Sequence, residues 1–73
     1  MVKEGSLKYY RLLAGLSITR LAAMAGVARD TLMKAEKGEP IQEVKAFAII
    51  QALNSKLPMD KQAPYSIVTI VED

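Results

Sequence analysis

The side chains able to do chemistry here are hydroxyls, carboxylates and cations, because the chain contains no Cys and no His. Without thiolate or imidazole, the usual zinc and haem ligands and the usual general base are missing. The hydroxyls of Ser6, Ser17, Ser55 and Ser66 therefore have no histidine to activate them, and the acidic pair Glu72-Asp73 falls at a frayed end. No glycine-rich phosphate cradle appears, and a lone acidic pair does not make a metal site. The composition points away from an enzyme and calls for no cofactor or metal. Charge is what remains. Up to Gly38, Lys3, Lys8, Arg11, Arg20, Arg29, Lys34 and Lys37 stand against Glu4, Asp30 and Glu36, a net +4. From Glu39 onward, Lys45, Lys56 and Lys61 stand against Glu39, Glu43, Asp60, Glu72 and Asp73, a net −2. The total of +2 says little, but this distribution suits a first half that faces a polyanion such as DNA and a second half that does not. Scattered surface charge gives the same numbers, so the elements that hold the cations have to decide.

A chain of 73 residues makes a single domain over residues 1–73. At this size only about 60% of the surface exposed by an unfolded chain is buried, and no disulfide adds to a marginal stability. Hydrophobic residues nevertheless reach 51%, so part of that surface is expected to lie in a shared interface. The apolar runs fall far short of the roughly 18 residues of a membrane span, and no signal-peptide pattern opens the chain. A cytoplasmic protein is expected.

Apolar spacing and capping residues mark four helices. From Ser6 to Ala14, the residues Leu7, Tyr10 and Ala14 share a stripe, with Ser6 as cap and Gly15 as stop. Ser17 caps a second helix in which Ile18, Leu21, Ala22 and Ala25 recur at helical offsets, closed by Gly26. The third runs from Ala28 to Lys37 with Leu32 and Ala35 inward, and stops at Gly38. A fourth spans about Gln42 to Leu53, where Ala46, Ile49, Ile50 and Leu53 form one apolar stripe and Val44, Phe47 and Ala48 a second. Two apolar faces predict burial on both sides. Asn54 to Pro64 reads as a loop with a helical turn at Pro58 to Gln62, giving a core at 6–54, a loop at 54–64 and a tail at 65–73.

Five consecutive β-branched residues, Ile67 to Val71, predict a strand in that tail. One strand cannot satisfy its own backbone, and the chain offers only the short Met1-Val2-Lys3 end as a partner. The economical solution is the same tail from a second copy, paired antiparallel about a two-fold axis. Phe47, Ile67, Val68, Thr69, Ile70 and Val71 would then form a homodimer interface. The alternatives are a tail that stays disordered in the monomer and one that pairs only in crystals or aggregates.

Around Gly26 several positions agree. Ala22 is small where two helices must cross closely, and Gly26 suits the left-handed turn of a three-residue connection. Leu21, Ala25, Val27, Leu32 and Ala35 fall where such a pair buries its inner face. The ordered set Arg11-Leu12, Gly15-Leu16-Ser17, Leu21-Ala22, Ala25-Gly26-Val27, Thr31-Leu32, Glu36-Lys37-Gly38 and Ile49 with Ala52-Leu53 resembles the phage-repressor and Cro-like helix-turn-helix proteins, the Xre family. The resemblance covers about Leu7 to Asn54. It implies an all-α, compact four- to five-helix domain of the lambda-repressor type that binds double-stranded DNA. The C-terminal β-strand tail lies outside it and looks like the arrangement in the Cro branch.

The resemblance also implies roles. Arg11 and Glu36 match an ion pair that ties the first helix to the third. In such domains the third helix enters the major groove, and the N-terminus of the second abuts the phosphate backbone. Arg29 is then the leading base reader, donating twice to guanine O6 and N7. Asp30 either accepts from a cytosine amino group or caps its own helix, and the cap is favoured because Ala28 stands where relatives often carry Ser or Thr. Met33 meets a thymine methyl or packs, and Lys34 faces the groove. Ser17, Thr19, Arg20, Thr31 and Lys37 are the backbone candidates. Ile18 replaces a Gln that braces the DNA backbone in many relatives, which implies weaker binding or a face given to another partner. Two functions are compatible with these roles. One is a homodimeric transcriptional regulator, a repressor of bacterial or phage type acting on a pseudo-palindromic operator with half-sites one turn apart. The other is a protein-interaction module, such as an antitoxin-like partner, motivated by the tail and by Phe47.

Overall fold

A computed structural model of the chain describes residues 4–71. Helix α1 (Leu7–Leu13) begins where Ser6 Oγ accepts the Tyr9 N–H at 3.2 Å, and α2 (Ile18–Ala25) where Ser17 Oγ accepts the Arg20 N–H at 3.1 Å. Helices α3 (Arg29–Glu36) and α4 (Glu43–Asn54) open on Ala28 and Gln42 without a side-chain cap bond. The first three helices end alike. In α2 the Val27 N–H reaches back to Ala22 O at 3.0 Å while the Gly26 N–H bonds Ala23 O at 3.3 Å. Gly15-Leu16 and Gly38-Glu39 repeat this pair of bonds on α1 and α3. The pattern requires a left-handed residue at Gly26, where φ is 71°, and a side chain there would add about 1–2 kcal/mol of strain.

Leu21, Leu32, Ile49, Ile50 and Leu53 are fully buried and form the centre of the core, with Leu7, Leu16, Ala22, Ala35 and Ala46 around them. Helix α2 lies between α4 and α3, and α3 also touches α1. After α4 the chain makes a 3₁₀ turn at Met59–Lys61 and a second at Tyr65–Ile67. Asn54 holds this return: its Nδ2 donates to Ala63 O at 3.1 Å and its Oδ1 accepts the Ala63 N–H at 2.7 Å. Leu57, Ala63 and Val68 then close the core from that side.

One expectation is corrected here. The tail is not a strand over 65–71: Tyr65–Ile67 is helical, and Ile70 makes only an isolated parallel bridge to Ile41. The reason is a partner that β-branched composition does not reveal. Ile41, between α3 and α4, donates its N–H to Thr69 O at 3.0 Å and accepts the Val71 N–H at 2.9 Å. Within the expected homodimer set, Val68 is thereby buried in its own core and Ile67 and Ile70 half-buried, while Thr69 and Val71 stay exposed. The second stripe of α4, expected to meet something beyond the first three helices, is left uncovered at Val44 and Phe47 by the described residues, with Ala48 half-buried. Val44 is 79% exposed, and Phe47, 45% exposed, makes an edge contact with Tyr65 at a ring-centroid distance of 4.8 Å. Met1-Val2-Lys3, proposed as a strand partner, and the tail end Glu72-Asp73 lie outside the described residues. Among those described, no helix is long and apolar enough to cross a membrane.

Candidate nucleic-acid interface

Because α2 and α3 bury Leu21, Ala22, Leu32 and Ala35 against the core, their remaining faces are free to meet a partner. Arg29, Asp30 and Lys34 are exposed at the start and middle of α3. Ser17, Thr19 and Arg20 line one open groove beside Ala23 and Met24 at the front of α2. The Ser17 oxygen is used in capping, yet its hydroxyl proton remains able to donate to a phosphate oxygen. The three α2 candidates are thus brought together.

The α3 candidates divide. Met33 is half-buried and lines a shallow cleft with Lys8, Ile18, Glu36 and Lys37, so it sits beside the start of α2. Thr31 and Lys34 line a different cleft, facing Pro40, Ile41, Gln42, Lys45 and Val71. Lys45 is therefore a cation close to the recognition face that charge counting assigned to the wrong half of the molecule. A signal existed in its place three residues after the Gln42 cap of α4, one turn into a helix that starts directly after the α3 connection.

Asp30 does not cap α3. The cap position belongs to Ala28, and the side chain of Asp30, two residues further on, makes no hydrogen bond among the described residues. Lys34 is spaced one turn from Asp30, where an i, i+4 pair forms on many helices. Even so, the ion pair found among the described residues is another one. Arg11 and Glu36 form it, with side chains only 8% and 10% exposed. Arg11 Nε donates to Glu36 Oε2 at 2.6 Å, a second guanidinium nitrogen donates to Oε1 at 3.4 Å, and the third to Leu16 O at 2.9 Å. One guanidinium therefore joins α1, the α1–α2 turn and the end of α3.

The family model described as Helix-turn-helix matches residues 7–58. No curated protein and no solved structure matches the chain. The matched span contains the four α-helices found among the described residues, the glycine-closed turn at Gly26 and the Arg11–Glu36 pair. The chain belongs to the Xre and lambda-repressor-like helix-turn-helix family, whose members are DNA-binding regulators.

Proposed function

We propose that residues 1–73 act as a single-domain, sequence-specific transcriptional repressor, working in the cytoplasm as a homodimer with α3 in the major groove. The observation that carries this reading is the uncovered start of α3, where Arg29, Asp30 and Lys34 are exposed, together with the open Ser17–Thr19–Arg20 groove at the front of α2. Arg29 donates twice to a guanine, Lys34 and Met33 contact base edges one turn on, and Ser17, Thr19, Arg20, Thr31 and Lys37 hold phosphates. One molecule measures 33 × 24 × 22 Å. A homodimer on a pseudo-palindromic operator with half-sites one turn apart needs its two α3 helices about 34–36 Å apart, a span two molecules of this size can reach. Phe47, with exposed Thr69 and Val71, supplies the contact between copies.

Selection from random DNA with wild type, Arg29→Ala and Arg20→Ala tests the reading. Arg29→Ala loses about 1–3 kcal/mol and its preference at one base position. Arg20→Ala weakens all sequences alike and lowers the salt slope by about one. If wild type enriches no sequence and its affinity ignores salt, DNA binding is wrong. A second reading, an antitoxin-like module that holds another protein, draws support from the exposed Val44, Phe47 and Tyr65. A homodimer that Phe47→Glu converts to monomer removes that support.

A further inference from the structure

We infer that the cleft between α3 and the start of α4 binds an acidic segment of the chain itself, Glu72-Asp73, which occupies it in competition with DNA. The contact follows from the cleft and the tail alone, and only the competition rests on the DNA-binding reading. The cleft, about 190 Å³ in volume, is walled by Thr31 and Lys34 of α3, Gln42 and Lys45 at the start of α4, and Val71 of the tail. Two ammonium groups share it, while a hydroxyl and an amide are able to donate to a carboxylate. No described carboxylate lines it: Asp30 and Glu43, on the same two helices, are exposed outside it. Neither lysine belongs to the ion pair found among the described residues.

The backbone aims the tail at this cleft. Ile41 donates to Thr69 O at 3.0 Å and accepts from Val71 N–H at 2.9 Å, and its bridge to Ile70 is parallel. The two segments therefore run in the same direction. As one passes from Ile41 through Gln42 into α4 toward Lys45, the other passes from Ile70 to Val71 and on. Val71 already lines the cleft, and the next two residues are Glu72 and Asp73. Fully extended, they reach at most about 7 Å past Val71, a short step on a molecule whose narrowest extent is 22 Å. Charge decides where within that reach they settle, because an unneutralised lysine pair is the complement of an acidic pair.

Thr31 and Lys34 belong to the set proposed to meet DNA, so the tail and a phosphate cannot use them at once. The tail is attached, so its effective concentration at the cleft is on the order of millimolar whatever the protein concentration. Exposed ion pairs are individually weak and screened by salt. The acidic segment therefore displaces stray anions and loosely bound DNA, and yields to a duplex that engages the whole face. It raises the threshold for binding without reading any base.

The test uses the full chain as wild type, Glu72→Gln/Asp73→Asn, Val71→Pro, and Glu4→Gln/Asp60→Asn. The last removes the same charge from a separate cleft beside Tyr9 and Tyr10. Without DNA, the side-chain NMR signals of Lys34 and Lys45 should shift in the tail variant and stay in place in the charge control. On a duplex of scrambled sequence the tail variant should bind about three- to ten-fold more tightly than wild type, and the control less than about two-fold. Val71→Pro keeps the charge of wild type but loses the bridge, and should gain a similar factor. Adding the tail substitutions to it should then add little, since both remove one contact. Lysine signals that ignore the tail substitutions overturn the inference, whether or not DNA is bound. Signals that shift, with a DNA gain no larger than the control's, overturn the competition. Wild type that binds no DNA overturns the DNA-binding reading and the competition with it, while the lysine signals still decide the contact.

Discussion

Between Ser17 and Gly38 the backbone obeys partners close by in the chain. Ser17 caps α2, Gly26 and Gly38 close α2 and α3, and the apolar residues recur at one helical spacing. Between Tyr65 and Val71 the local preference is equally strong, but the chain does something else. The segment makes one 3₁₀ turn at Tyr65–Ile67 and, through Ile70, a single bridge to Ile41. The difference teaches where composition stops being informative. A helix satisfies its own hydrogen bonds, so its sequence contains most of its instructions. A strand needs a neighbour, and the neighbour decides how much strand forms.

That contrast can be broken or sharpened by substitution, with unfolding by urea as the measure. Glu36→Ala leaves the Arg11 guanidinium buried without its carboxylate, and the expected loss is about 3–5 kcal/mol. A loss below about 1 kcal/mol would put the pair in the class of exposed ion pairs, and the helical region would then owe its geometry to apolar packing alone. Val68→Ala comes next, at about 2 kcal/mol, because the side chain is 4% exposed within the shared core. No change in stability would mean that the tail is an ornament and not part of the fold. Ala28→Ser should stabilise the protein by about 1 kcal/mol, by giving α3 the cap that Ser6 and Ser17 give α1 and α2. Smallest is Val71→Pro, which removes the N–H that Ile41 O accepts and should cost about 1 kcal/mol or less. A larger cost would show that the bridge is cooperative with the helices.

Much of the helical half is legible in the sequence. The stripes Leu21–Ala22, Leu32–Ala35 and Ala46–Ile49–Ile50–Leu53 are buried as their spacing predicts, because a period of 3.6 read from the chain is also a direction in space. The Arg11–Glu36 contact is implied only by resemblance, since nothing across a separation of 25 residues marks the two as neighbours. Other features have no local signature at all. Ile41 looks like one apolar residue in a connection after Pro40, yet both of its backbone groups are used to hold the tail. Asn54 looks like a loop residue and instead pairs both amide groups with the backbone of Ala63. At the candidate interface the position of α3 is readable from its spacing, whereas the unused carboxylate of Asp30 and the placement of Lys45 beside Lys34 depend on rotamers and on helix packing.

Ile41 also sets a clock. Its two hydrogen bonds to Thr69 and Val71 lie at the end of the described chain, joined to the helices by one buried side chain on each partner segment. In deuterated water these two amides, Ile41 and Val71, should exchange soon after mixing, through brief openings that leave the helices intact. The amides of α2 and α4 around Leu21, Ile49 and Ile50 should exchange last, at the rate of whole-molecule unfolding. The protein would therefore spend part of its time with its last segment detached from Ile41, which opens the cleft that Val71 shares with Thr31 and Lys34 on the candidate interface.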